Sequence, residues 1–270
     1  MKLRVKFLLL ASLLAFVVVA QGQLGPHVAS TLEVVPFPPY HAAGNDVPTT
    51  FRLKRGGDPV TLDDLKVSHT EKIHLLIIDE SLTDYRHQHP IAMETPGEYR
   101  FLLRSRYGGT YLVWAQLVPK STGAPEFAKG AVAVEGRAKP FEQIMNSTAA
   151  DEDGYRYELS VEGRRELAVG DPARLKVTVR KPDGMPAENL EPVMGAFATL
   201  TAFSGNLQEA ILSFPTDSAP ASEAARGGPE LTFQLTPRSS GCWRLFIQTK
   251  ISGLTRLASF GLNVSAKSQP

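Results

Sequence analysis

The chain has 270 residues, 43% of them hydrophobic, with 29 Lys and Arg against 28 Asp and Glu, six histidines and a single cysteine. Apolar content on this scale supports packed cores and excludes a disordered chain. The near-neutral balance argues against a dedicated nucleic-acid binder, and one cysteine excludes an internal disulfide and a multi-cysteine zinc site.

Lys2, Arg4 and Lys6 form a positive start, and Phe7 to Ala20 follows with Ser12 as its one polar residue. A spanning helix needs about 20 apolar residues, so this run is too short and fits the apolar region of a secretory signal. The expectation is a signal peptide over residues 1–22, with small residues for cleavage at Val18-Val19-Ala20. Cleavage after Ala20 removes three positive charges and takes the formal charge from +1 to −2. No second apolar run reaches spanning length. The expected mature chain therefore has no membrane span and is periplasmic or secreted.

The rest of the chain reads as short strands punctuated by Gly, Pro, Asn and Asp. The clearest are Thr50 to Lys54, His74 to Asp79, Tyr99 to Leu103, Thr110 to Val118 and Ala131 to Val134. Later come Arg156 to Val161, Ala173 to Val179, Ala198 to Phe203, Leu231 to Leu235, Cys242 to Gln248 and Leu257 to Val264. No long segment holds a helical period. Many short strands at regular spacing predict an all-β chain of β-sandwiches.

The sequence also repeats itself. Leu75, Leu82 and Pro90 match Leu200, Leu207 and Pro215, each 125 positions on. Phe101 to Tyr111 lies over Phe233 to Trp243 at a spacing of 132, and Gln116 then meets Gln248. The longer loop from Thr216 to Pro229 absorbs the difference. The expected organisation is two tandem units, residues 23–138 and 155–270, joined by a linker over 139–154. The acidic run Asp151-Glu152-Asp153-Gly154 reads as solvated linker, because the full calcium-loop pattern is absent. Tyr111 and Trp243 are equivalent and read as core aromatics. Cys242 faces the other way along its strand as a half-buried apolar residue.

Chemistry concentrates at one hairpin. A four-residue loop Glu80 to Thr83, closed by Asp79 and Asp84, pairs Ile78 with Tyr85, Leu76 with His87 and His74 with His89. Residues two apart on a strand share a face, and directly opposed side chains have Cβ atoms about 4.5–5.5 Å apart. His74, His87 and His89 then converge as a tridentate set, and imidazole suits zinc, copper, iron and nickel. Met93, shortly beyond Pro90, would bias the site towards copper. A register slip of one residue destroys the arrangement. The same face carries Leu76, Ile78 and Tyr85, so the histidines also fit as hydrogen-bonded residues at the rim of an apolar core. In the second unit Thr199, Leu212 and Phe214 take the three positions, and the joint loss favours one functional unit.

The stretch from His74 to Pro90, with its apolar strand, acidic-Leu turn and closing His-x-His-Pro, resembles a recurring pattern in secreted bacterial immunoglobulin-like domains. Gly109-Thr110-Tyr111-Leu112-Val113-Trp114-Ala115 resembles that group's later strand. Leu190 to Phe197 resembles the proline-glycine entry to the same hairpin, but the histidines do not follow it. The resemblance implies tandem immunoglobulin-like sandwiches in an envelope setting associated with copper or other heavy metals.

Two functions follow as expectations. One is a non-enzymatic exported protein holding a copper or zinc ion through His74, His87 and His89. The alternative is a scaffold or adhesion-type module that engages a protein or glycan through loops such as Ser121 to Ala128 or Thr216 to Pro229. No nucleophile elbow, His-Glu-x-x-His, phosphate loop or dinucleotide fingerprint is present, and the expectation is that the chain is not an enzyme.

Overall fold

The structure, a computed structural model, describes residues 29–35, 42–163 and 166–266. The expected signal peptide lies outside the described residues, as do His27 and His41. All eleven strands read from the sequence are present, and the described residues hold one short 3₁₀ turn, Leu62–Asp64, besides strands. No helix among them is long and apolar enough to cross a membrane.

The first unit carries β1 (Ser30–Val35), β2 (Asp46–Arg55), β3 (Asp58–Pro59), β4 (Ile73–Asp79), β5 (Tyr85–Gln88), β6 (Ile91–Ala92), β7 (Glu98–Arg104), β8 (Gly109–Leu117) and β9 (Glu126–Val134). One sheet runs β1-β2-β7-β6 with β3 at its side, and the other runs β5-β4-β8-β9. The second unit carries β10 (Ala149–Glu152), β11 (Tyr155–Val161), β12 (Leu167–Ala168), β13 (Ala173–Arg180), β14 (Ala198–Ser204), β15 (Ala210–Ser213), β16 (Glu230–Leu235), β17 (Gly241–Ile251) and β18 (Leu254–Ser265). Its sheets run β10-β11-β13-β16 and β12-β18-β17-β14-β15. The chain is thus two tandem immunoglobulin-like β-sandwiches, as the strand pattern predicts.

Two details differ from the sequence reading. Residues 149–152, placed in the linker, form β10 and pair with β11 through Glu152↔Tyr155 around the Asp153-Gly154 turn. Their Ala-Ala-Asp-Glu sequence has no alternation and hides an edge strand whose energy lies in backbone pairing. The loop beginning at Ser121 ends at Pro125, because Glu126 already opens β9.

Each sandwich has its own core. In the first, Phe51, Leu53, Leu75, Ile77, Tyr99, Tyr111 and Val113 pack between the sheets. In the second, Leu175, Val177, Leu200, Phe233, Trp243 and Phe260 do so. Tyr111 and Trp243 are both fully buried, as their equivalence predicts.

β4 and β14 are buried at every position. Ile73, Leu75 and Ile77 serve the first core, while Leu76 and Ile78 enter a third cluster with Leu82, Tyr85, Trp114, Phe203, Ala210 and Phe246. This third cluster joins the two sandwiches face to face. A strand covered on both sides reads as a continuous apolar run, which is how Leu75 to Ile78 reads. Fully burying each large side chain contributes about 1.5–3 kcal/mol, so this seam is a strong contact.

The seam pairs equivalent faces. Ile78 corresponds to Phe203, Leu82 to Leu207 and Tyr85 to Ala210 at the spacing of 125, and Trp114 to Phe246 at 132. The backbone repeats the correspondence: Lys66 N–H donates to Val118 O at 2.8 Å, and Glu191 N–H to Lys250 O at 2.8 Å. The turns Ser68 to Glu71 and Val193 to Ala196 are equivalent too, each closed by a reciprocal backbone pair. Both central residues of both turns have positive φ: His69 48° and Thr70 74°, Met194 53° and Gly195 71°. The two turns meet, since a Cβ built on Gly195 would stand 2.8 Å from Thr70 Cγ2. The sandwiches are therefore related by an approximate two-fold axis through the seam.

Candidate metal centre

The hairpin has the register expected of it. Ile78 pairs with Tyr85, Ile77 with Arg86, Leu76 with His87 and Leu75 with Gln88. The loop is set by Asp79, whose Oδ1 accepts the Thr83 and Asp84 N–H groups at 2.9 Å each. Its other carboxylate oxygen accepts the Ser81 hydroxyl. Leu82 turns the chain at φ 58° and buries its side chain in the seam. Asp84 is anchored in turn by Tyr111 Oη–H at 2.8 Å and Arg106 N–H at 2.7 Å. These bonds fix the register and so the face on which the histidines stand.

Three imidazoles converge at one end of that face. His74 Nδ1 lies 3.1 Å from His87 Nε2 and 3.2 Å from His89 Nε2. One nitrogen from each of His74, His87 and His89 falls within 4.8 Å of the other two. Metal–nitrogen bonds of about 2.0–2.1 Å at tetrahedral angles separate ligand nitrogens by about 3.3 Å, close to the two short separations.

The tautomer of His74 follows from its far side. Its Nε2 lies 2.8 Å from the Ser68 carbonyl, which can only accept. The proton therefore sits on Nε2, and Nδ1 presents a bare lone pair towards His87 and His89. A backbone carbonyl holding the remote N–H is the usual support of a ligating imidazole. Glu71 Oε1 lies 3.8 Å from His89 Nδ1, beyond hydrogen-bond distance.

The hydrogen bonds of the cluster do not close among protein groups. Two Nε2 atoms face the single lone pair of His74, and the buried His87 Nδ1 has no hydrogen-bond partner. Gln116, directly across from His74 on β8, also buries its Oε1 without a partner. A cation receiving three lone pairs resolves the competition at His74 Nδ1. Burial pulls the His74 pKa down to about 4, against a smaller opposing pull from the Ser68 bond, and it pulls His87 and His89 down as well. All three rings are thus neutral near pH 7 and offer lone pairs.

The surroundings come from both sandwiches. Phe214 of the second stacks on His69, with ring centroids 3.5 Å apart and planes at 8°, and meets His74 edge-on at 5.8 Å. Phe214 is the counterpart of His89. The sequence reading missed Phe214, Ser68 and Glu71 as neighbours. The spacing of 125 held the signal for Phe214, once the equivalent faces are known to oppose each other.

Met93 does not join the histidines. Pro90 carries the chain out of the hairpin, and β6 pairs with β7 in the opposite sheet. Met93 consequently lines a cavity with Thr61, Leu62 and Tyr99. Cys242 is a free, half-buried thiol beside the seam.

A family model described as a domain of unknown function, DUF8832, matches residues 35–136 and 148–266. The chain belongs to this family. The two matched stretches of the DUF8832 chain coincide with its two sandwiches. No curated protein matches the sequence. Among solved structures, the chain is similar to invasin, described as a bacterial integrin-binding protein, at 14% identity and a TM-score of 0.24, covering 90% of this chain and 40% of that one. The fibronectin(III)-like modules of Clostridium thermocellum CbhA give 9% identity and a TM-score of 0.23, with 88% and 98% coverage. A beta-glycosidase from Bacteroides vulgatus gives 9% identity and a TM-score of 0.23, covering 88% of this chain. The chain spans a quarter of that glycosidase's length. At these scores the resemblances bear on neither activity nor ligand.

Proposed function

We propose that this chain is an exported, non-enzymatic metal-binding protein that holds one copper or zinc ion through His74 Nδ1, His87 Nε2 and His89 Nε2. The observation that carries the reading is the fixed tautomer of His74. Its proton is committed to Ser68 while its lone pair points at two further imidazole nitrogens 3.1 and 3.2 Å away. The two Nε2 atoms that face the one His74 lone pair add support, because only one of them can donate a hydrogen bond to it. The second sandwich, with Thr199, Leu212 and Phe214 at the histidine positions, packs against the site and holds no ion at those positions. The non-enzymatic part of the reading rests on the sequence, which carries no nucleophile elbow, His-Glu-x-x-His, phosphate loop or dinucleotide fingerprint.

The test is metal analysis and isothermal titration of the full chain with Cu(II) and Zn(II). One equivalent bound by the native protein, and none by a His87→Ala/His89→Ala double variant, is the expected result. Stoichiometric binding that survives both substitutions overturns the site.

A further inference from the structure

We propose that Met194 of the second sandwich supplies a thioether ligand to the histidine centre, which makes the centre selective for copper, Cu(I) above Zn(II). The proposal rests on the three-histidine reading and adds its fourth ligand.

The argument comes from the approximate two-fold axis. The turns holding His69-Thr70 and Met194-Gly195 are equivalent and touch at Thr70 and Gly195, a contact that the axis maps onto itself. His69 of the first turn lies flat on Phe214 of the second sandwich. Met194 stands 125 positions after His69, and Phe214 stands 125 after His89. The operation that carries His69 onto Met194 therefore carries Phe214 onto His89. The His69–Phe214 contact has as its counterpart Met194 against His89.

Two features of Met194 fit this place. Met145 and Met185 are 70% and 60% exposed, whereas Met194 is partly covered. Its φ of 53° lies in the left-handed region, where a long side chain is uncommon and glycine costs least. The side chain has three rotatable bonds with which to reach the ion, and its soft sulfur favours Cu(I) over Zn(II). Three imidazoles from one sandwich and a thioether from the other make a four-coordinate centre across the seam.

The test is copper-edge X-ray absorption on the Cu(I)-loaded full chain, with competitive titration of Cu(I) against bicinchoninate and of Zn(II) against a colorimetric chelator. The expected spectrum has a sulfur scatterer beside nitrogen. Growth on selenomethionine should convert it to a selenium scatterer without any substitution. Met194→Leu should remove the scatterer and weaken Cu(I) binding by roughly tenfold or more, the scale of disturbing a ligand shell, with Zn(II) much less affected. Met93→Leu should change neither. A bound copper with nitrogen scatterers alone, or equal Cu(I) affinity in native and Met194→Leu protein, overturns the methionine and leaves the histidine site standing. Failure of the native protein to bind any metal overturns both.

Discussion

His74 and Ser68 settle the chemistry of the cluster: the imidazole Nε2–H donates to the carbonyl at 2.8 Å, so the opposite nitrogen is a lone pair facing two other rings. Ser68 belongs to the turn that touches the second sandwich, so a backbone group at the seam sets the tautomer of a buried imidazole.

Metal should stabilise the fold. A ligand bound only by the folded state contributes about 2.7 kcal/mol at a hundred times its Kd. Thermal melts with stoichiometric or excess Cu(II) or Zn(II) should shift upward by several degrees and return on adding a chelator. A His87→Ala/His89→Ala chain should show no shift. An equal shift in the variant would place the stabilising ion elsewhere.

Without metal, stability should fall in mild acid. The His74 pKa drops from the unfolded value of 6.5 to about 4, chiefly by burial, and His69, His87 and His89 drop too. Glu71, facing His89, opposes the drop there. Folded rings that resist protonation lose ground once the unfolded chain takes up protons. The contribution is full above about pH 6.5 and lost progressively towards pH 4, on the order of 3 kcal/mol for His74 alone. Urea midpoints at pH 7.5, 6 and 5 should fall in that order, and His87→Gln should flatten the dependence. A flat profile in the native chain would sink this account of the cluster.

Tyr85 ties the hairpin to the other sandwich through a 2.7 Å bond between its hydroxyl and Thr201 Oγ1, with its ring stacked on Phe246 at 4.7 Å. Tyr85→Phe keeps the ring and leaves the Thr201 hydroxyl buried without that partner. The expected loss is about 1–3 kcal/mol by denaturant titration. Phe246→Ala, which opens the seam itself, should cost about 3–5 kcal/mol.

The contact between the two turns can be tested from Gly195. Gly195→Ala adds a Cβ at φ 71° and at 2.8 Å from Thr70 Cγ2. The strain of the left-handed conformation alone costs about 1–2 kcal/mol, and the clash adds to it. Thr70→Ser removes the offending methyl and should recover only the clash, a coupling that a double-mutant cycle reads directly. Strict additivity of the two substitutions would mean that the turns do not touch.

Much of the first unit was legible because its signals are local. Asp79 and Asp84 bound a loop of definite length, and that length fixed the register and the shared face of His74, His87 and His89. The edge strands were hidden. β10 is Ala-Ala-Asp-Glu, with no alternation to read, and forms because β11 offers it a ladder. Met93 misled because nearness in sequence ends where Pro90 sends the chain to the other sheet. The seam was written in the continuous apolar run of Leu75 to Ile78, yet a run of that kind shows only that both faces are covered. The identity of the cover, and with it the place of Phe214 beside the histidines, depended on two repeats docking face to face. That is a tertiary fact which the spacing of 125 makes interpretable only afterwards.

The most direct measurement is anomalous diffraction from crystals of the full chain grown with Cu(II) or Zn(II), recorded on both sides of the metal edge. The account predicts a single strong anomalous peak about 2.0–2.1 Å from His74 Nδ1, His87 Nε2 and His89 Nε2, with His74 Nε2 still bonded to the Ser68 carbonyl. A stoichiometric peak elsewhere, or three imidazoles in contact with no ion between them under saturating metal, would contradict it.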